Sequence, residues 1–295
     1  AAGRSLGATV EPITYDDVER LTEFDALFMR ETTDIDDRTY RVARTAEALG
    51  IPVIDDSQSI LRCANKVYLA ERMRAHRVPI PRTLAITRDQ LGRIEREIGF
   101  PVVIKTPDGA FSRGVHKADD RDQLEAIANR LFEASDLILA QEFVATSFDW
   151  RVGVLNGEPL FVCQYFMAEN HWQVVKYASA GSDDYVEGKD RTLAVDDAPP
   201  DVVALGIKAA DLIGDGLYGV DIKQAANGLV VVEVNDNPNS DAGVEDAVLG
   251  DALYKQIVGD FMRRIRDGAA TRQEADIKRE STDIHERVAS SSGEI

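Results

Sequence analysis

Short apolar runs with period-two alternation recur along the chain at residues 24–29, 51–54, 82–86, 101–105, 137–144, 152–155 and 160–166, and on both sides of Ala226-Asn227-Gly228. Such runs predict β-strands. Between them, stretches with apolar residues every three or four positions predict helices over 38–49, 58–77, about 88–98, 122–134, 199–213 and 248–266. Gly50 ends the first of these, and Asp55-Asp56-Ser57 supplies a cap for the second. Strands alternating with helices predict an α/β (α+β) fold. Residues 168–192 show neither period and are expected to be irregular, in the manner of a substrate loop. Residues 269–295 are charged, serine-rich and poor in large apolar side chains, which predicts a flexible tail.

The segment from Gly219 to Asn239 carries the sharpest pattern. A two-residue loop at Asn227-Gly228 would set Asp221 opposite Val234. A three-residue loop, Ala226 to Gly228, sets Asp221 opposite Glu233 with Asn235 two residues on and on the same face. The second register is adopted, because it gathers Val220, Ile222, Val232 and Val234 on the other face. It also places two carboxylates about 4.5–5.5 Å apart across the strands, a repulsive arrangement unless a cation lies between them. Two carboxylates and an amide oxygen make a hard, all-oxygen site suited to Mg²⁺. A solvated polar face is the competing reading. On the cation-site reading, Asp221→Asn relieves a repulsion and leaves folding intact.

Composition narrows the field. The 295 residues allow about two domains. No apolar run approaches membrane-spanning length. With 34 basic against 52 acidic residues, the net charge of −18 opposes non-specific nucleic-acid binding. Cys63 and Cys163 lie far apart in apolar or helical surroundings, which suggests free thiols in a reducing cytoplasm. Neither a G-x-x-x-x-G-K-[ST] loop nor a G-x-G-x-x-G fingerprint occurs.

Three further features carry chemistry. Lys66 lies in the middle of the predicted helix 58–77. Lys105 ends a nearly all-apolar strand and leads into TPDGAFSRGVHK, where Gly109, Ser112 and Gly114 allow main-chain amides to approach a phosphate. After Gln141, the strand runs out into a connector able to recognise a flat heterocycle through its backbone, followed by Asp149-Trp150-Arg151.

Taken together, Lys66, Lys105 with its glycine loop, QEFV, D-W-R and the D…E-V-N hairpin resemble the ATP-grasp enzymes. The similarity is greatest to the RimK-like carboxylate–amine ligases, the branch holding the ribosomal-protein glutamate ligase and lysine-biosynthesis ligases that act on an amino-group carrier protein. It covers roughly residues 20–266 and includes IDDSQSILRCANKVYL and NHWQ. The resemblance implies two α+β subdomains clamping ATP, 57–140 and 141–268, preceded by a partial Rossmann-like domain over 1–56 that looks truncated. It implies that Lys66 and Lys105 contact ATP phosphates under the loop carrying Gly109, Ser112 and Gly114. Gln141, Glu142, Phe143 and Val144 would hold adenine and Asp149 the ribose. Asp221, Glu233 and Asn235 would ligate two Mg²⁺ ions, with Mn²⁺ able to replace them, and Arg151 would face the γ-phosphate.

The reaction implied joins an amino acid or other carboxylate to an amine of a small molecule, peptide or protein through an acyl phosphate. Neither nucleic acid nor membrane is a partner, and a homo-oligomer is compatible. Where glutamate ligases carry arginines and an asparagine, this chain has HWQVVKY, so His171, Gln173 and Lys176 are the substrate candidates. Arg113 stands where many relatives carry a smaller residue. A phosphotransferase, or a nucleotide-binding regulator without turnover, is the alternative function.

Overall fold

The computed structural model describes residues 1–108, 114–177 and 184–270. Two antiparallel sheets dominate it. The smaller runs in the order Thr83–Ile86, Ile138–Glu142, Val102–Lys105, Val115–Ala118, and the larger in the order Asp190–Leu193, Glu158–Phe166, Phe148–Leu155, Leu217–Ala225, Gly228–Asn235.

Alternation along Val102–Lys105 explains the smaller sheet. Val102 and Ile104 join Ile86, Ile138 and Ala140 in a core closed by Leu124, Ala128 and Leu131 of the helix Arg121–Leu131. Val103 and Lys105 therefore point to the other face, in register with Gln141 and Leu139. In the larger sheet, Val152, Val162, Val220, Ile222 and Val234 pack against Val202 and Ala209 of the helix Pro200–Ala210. On its reverse face, Leu217 and Phe161 meet Leu253 and Ile257 of a helix over 251–270. That cover leaves open the end of the face holding Asp221.

Several expected elements are corrected. The helix expected over 58–77 is two helices, Ser57–Ala64 and Lys66–Ala75, broken at Asn65, whose side chain accepts from the Tyr68 amide at 2.9 Å. Lys66 thus opens a helix rather than lying mid-helix. The 168–192 stretch is not wholly irregular: Val175–Tyr177 pairs with Tyr185–Glu187, and Asp190–Leu193 forms the edge of the larger sheet. The strand expected over 24–29 shortens to Leu27–Phe28, paired in parallel with Val53–Ile54, and a 3-10 helix, Tyr15–Glu23, precedes it. Most of the expected tail lies outside the described residues.

The N-terminal part is fastened to the chain just beyond Asn235. Arg30 donates to the Pro238 carbonyl at 2.9 Å, and the Thr33 hydroxyl donates to Asp236 at 2.8 Å. Burial pushes the Asp236 carboxyl up to about 6, against the bond from Thr33. A carboxyl raised from 3.8 to about 6 holds a proton in the folded chain that the unfolded chain has released, so stability rises as pH falls through that window. We expect Asp236→Asn to abolish this contribution, about 1.4 kcal/mol per pH unit below 6. Urea unfolding at pH 7 and pH 5 checks it: wild type should gain relative to the variant at the lower pH.

Candidate active site

The hairpin sets the site's first wall. Asp221 is paired with Glu233, and Gly219 with Asn235, as the adopted register requires. The route differs from the expected three-residue loop. The turn is two residues, Ala226-Asn227, closed by Ala225 and Gly228, and the register shifts between Asp221 and Ile222, which pairs with Val231. Val232 is the extra residue of this bulge. Val231 therefore enters the core in place of Val232, which lines the cleft beside Glu233.

Cross-strand pairing builds a row through Cys163, Arg151, Asp221 and Glu233. Arg151 forks onto Asp221 with bonds of 2.7 and 2.8 Å. Its guanidinium is raised, because Asp221's charge and hydrogen bonds outweigh an opposing burial effect. A Cβ at Gly219 would stand 3.3 Å from the Arg151 Cδ and 2.8 Å from Pro238, so only glycine leaves this side chain its path. Asn235 donates through Nδ2 to Asp221 at 3.2 Å and to the Gly219 carbonyl, which leaves its Oδ1 as an acceptor.

The smaller sheet and the helix Lys66–Ala75 form the facing wall. Lys66 reaches Glu233 at 3.3 Å, and its amide donates to the Pro107 carbonyl at 3.0 Å, tying this helix to the loop after Lys105. Lys105 is 8% exposed. Burial lowers its pKa, Glu233 works against that, and the charges of Lys66 and Lys223 add to it. Glu233 is held below the usual carboxylate range: burial would raise it, and Lys66 with Lys105 outweigh burial. Gln141 is buried and donates to the Thr83 hydroxyl at 3.1 Å.

The remaining candidates scatter around this centre. Asp149 accepts from Lys223 at 2.6 Å and from Thr146 at 2.8 Å, and burial nevertheless raises its pKa. Lys223 escaped the sequence reading, although it lies two residues beyond Asp221 and so on the same face. Glu142 ends its strand, bonded through its amide to the Arg82 carbonyl. Phe143 meets Trp172 edge-on at 5.8 Å, with the Lys117 ammonium 4.9 Å above its ring, and Val144 follows. This contact brings the 168–177 segment to the connector. His171 bonds Gln173 at 3.2 Å, and Lys176 is exposed on its strand, with no bond to Arg151 or Asp221 among the described residues. Gly114 sits at φ +76°, where glycine is favoured. Gly109, Ser112 and Arg113 lie outside the described residues.

Both cysteines are free and buried, and burial raises their thiols, that of Cys163 to about 11. Among the described residues no helix is long and apolar enough to cross a membrane.

Two sheets gripping a cleft, with lysines on one wall and facing carboxylates on the other, define the ATP-grasp class. The D-alanine–D-alanine ligase of Bacillus anthracis has this fold: its crystal structure matches with a TM-score of 0.67 over 88% of this chain and 87% of that one, at 17% identity. The chain belongs to the RimK-like ATP-grasp domain family, whose model matches residues 63–258 and whose members are ATP-dependent ligases. An alpha-aminoadipate–LysW ligase of Saccharolobus solfataricus is 32% identical over 201 residues, 65% of this chain and 68% of the relative. A probable alpha-L-glutamate ligase of Thioalkalivibrio sulfidiphilus is 29% identical over 233 residues, 78% of this chain and 73% of the relative. ATP and Mg²⁺ binding are general in this family.

The donor set fits Mg²⁺. Asp221, Glu233 and the Oδ1 of Asn235 offer oxygen donors of the kind Mg²⁺ takes, and the two carboxylates are at present held by Arg151 and Lys66.

Proposed function

We propose that this protein forms an amide bond between an amino-acid carboxylate of the glutamate type and an amine, through an acyl phosphate. The observation that carries the reading is the single cross-strand row Arg151–Asp221–Glu233, whose Glu233 lines one cleft with Lys66 and Lys105.

A carboxylate is a poor electrophile, and passing it the γ-phosphoryl group of ATP makes it a good one. Charge spreads over the phosphoryl oxygens in that transfer, so preorganised cations supply most of the catalysis. Lys66 and Lys105 are assigned to the ATP phosphates. Arg151, freed from Asp221, is assigned to the transferring group. Gln141 and the connector through Glu142, Phe143 and Val144 are assigned to adenine, and Asp149 with Lys223 to the ribose end. Asp221, Glu233 and Asn235 would hold two Mg²⁺ ions. A metal held there would neutralise phosphate charge. An amine then attacks the acyl carbon and inorganic phosphate leaves, so no protein nucleophile is needed. Both cysteines fit that account, since their raised thiols are poor thiolate sources.

The glutamate-type substrate is supported by the relatives' names. His171, Gln173 and Lys176 are assigned to it as the polar groups of the segment that meets the connector, and the free thiols suit a cytoplasmic setting. Hydroxylamine with Mg-ATP and a panel of single amino acids tests the reading, because it captures an acyl phosphate without the natural amine. Hydroxamate is expected with glutamate or a close homologue. Nucleotide binding with no hydroxamate from any acid, and ADP released on a hydroxyl acceptor, would make it a phosphotransferase.

A further inference from the structure

A second concentration of positive charge lies outside the cleft. Arg74, Arg77 and Arg82 line a surface pocket floored by residues 78–81, and its wall residues Ile80 and Thr83 also line the nucleotide-side cavity. All three arginines are exposed, and among the described residues none has a carboxylate within ion-pair distance. Elsewhere, Arg20, Arg38, Arg93, Arg121 and Arg263 each hold a carboxylate, while Arg62 and Arg72 donate to the Ile213 and Leu212 carbonyls.

The partners here are main-chain carbonyls instead. Arg74 donates to the Thr83 carbonyl at 2.9 Å, Arg82 to that of Glu97 at 2.5 Å, and Lys208 to that of Arg77 at 3.2 Å. A carbonyl fixes a guanidinium without neutralising it. Arg74 and Arg82 are thereby preorganised forks of the kind that bind phosphate through paired N–H bonds, and Lys208 is held beside them on the main-chain carbonyl of Arg77.

Arg77 supplies an independent observation. The helix Lys66–Ala75 ends with the Val78 amide on the Met73 carbonyl at 2.9 Å and the Arg77 amide on that of Arg74 at 3.1 Å, which puts Arg77 at φ +56°. That left-handed position normally belongs to glycine, and a long side chain there is strained. The negative end of a helix accounts for basic residues in its last turn, such as Arg72 and Arg74. It does not account for arginine where glycine would be relaxed. What arginine adds is its guanidinium at the pocket.

We propose that this pocket is an anion site for a small phosphate-bearing ligand, distinct from the nucleotide cleft and sharing a wall with it. Its test uses inorganic triphosphate, titrated calorimetrically into the full chain with the cleft saturated by Mg²⁺ and a non-hydrolysable ATP analogue. One site is expected, weakening as salt is raised. Arg77→Gly should weaken it at least tenfold while the melting temperature holds or rises, since glycine relaxes the backbone; Arg74→Gln should weaken it as well. AMP and glucose 6-phosphate, titrated alongside, separate free phosphate from a phosphate ester as the source. No binding once the cleft is filled, or an undiminished affinity in Arg77→Gly, would overturn the proposal. So would a hexaglutamate peptide that binds more tightly than any phosphate, which would make the pocket a protein-docking surface.

Discussion

Asp221→Asn is expected to abolish ligation and also to destabilise the protein. Turnover should fall on the order of 10³-fold or more, because the variant loses the anionic group proposed above as a metal ligand. The stability effect reverses what the isolated hairpin suggests. Two carboxylates facing each other repel, so removing one should help. In the folded protein, however, Asp221 is held by the two-pronged bond from Arg151 and Glu233 by Lys66, so each negative charge has its own cation. The side chains of Asp221 and Arg151 are only 18% and 19% exposed, and removing one partner strands the other charge in poor contact with water. A cost of about 2 kcal/mol follows, less than for a fully buried pair because some solvent reaches both groups. In a chain of this size that is a drop of roughly 4–8 °C in melting temperature without metal. An unchanged or raised melting temperature would show that carboxylate repulsion outweighs the Arg151 pair.

Lys105→Met should do the opposite to stability and still damage function. The lysine is buried, its ammonium is disfavoured by burial, and two more lysines lie close enough to lower it further. A methionine of similar length removes that cost, so the nucleotide-free variant should be at least as stable as wild type. Nucleotide affinity should fall about 10- to 100-fold, the worth of one charge-assisted hydrogen bond to a phosphate. Calorimetric titration with Mg-ATP and a thermal melt of the same sample check both halves. Equal nucleotide affinity in variant and wild type would remove Lys105 from the phosphate site.

Together these variants separate two kinds of information. Period-two alternation was enough to place Asp221 opposite Glu233 with Asn235 on the same face, because a one-residue slip would have exposed a valine-rich surface. It was also enough to separate helices from strands along most of the chain. These are local consequences of side-chain direction, carried by the order of residues alone.

Tertiary structure decided the rest. The hairpin reached its register through a two-residue turn and a bulge at Val232, and a bulge leaves little trace in a hydrophobic pattern because one extra valine looks like its neighbours. Asn65 broke one expected helix into two because its side chain capped a new one, which moved Lys66 to the end facing Glu233. The strands within 168–192 depended on partners: Asp190–Leu193 has no strong period of its own and is a strand because Glu158–Phe166 offers it an edge. Residues 70 positions apart, Arg151 and Asp221, neutralise each other only because the strands Phe148–Leu155 and Leu217–Ala225 lie side by side. Alternation along a strand states which face a charge occupies, whereas the charge that answers it comes from another strand, and chain order does not encode that distance.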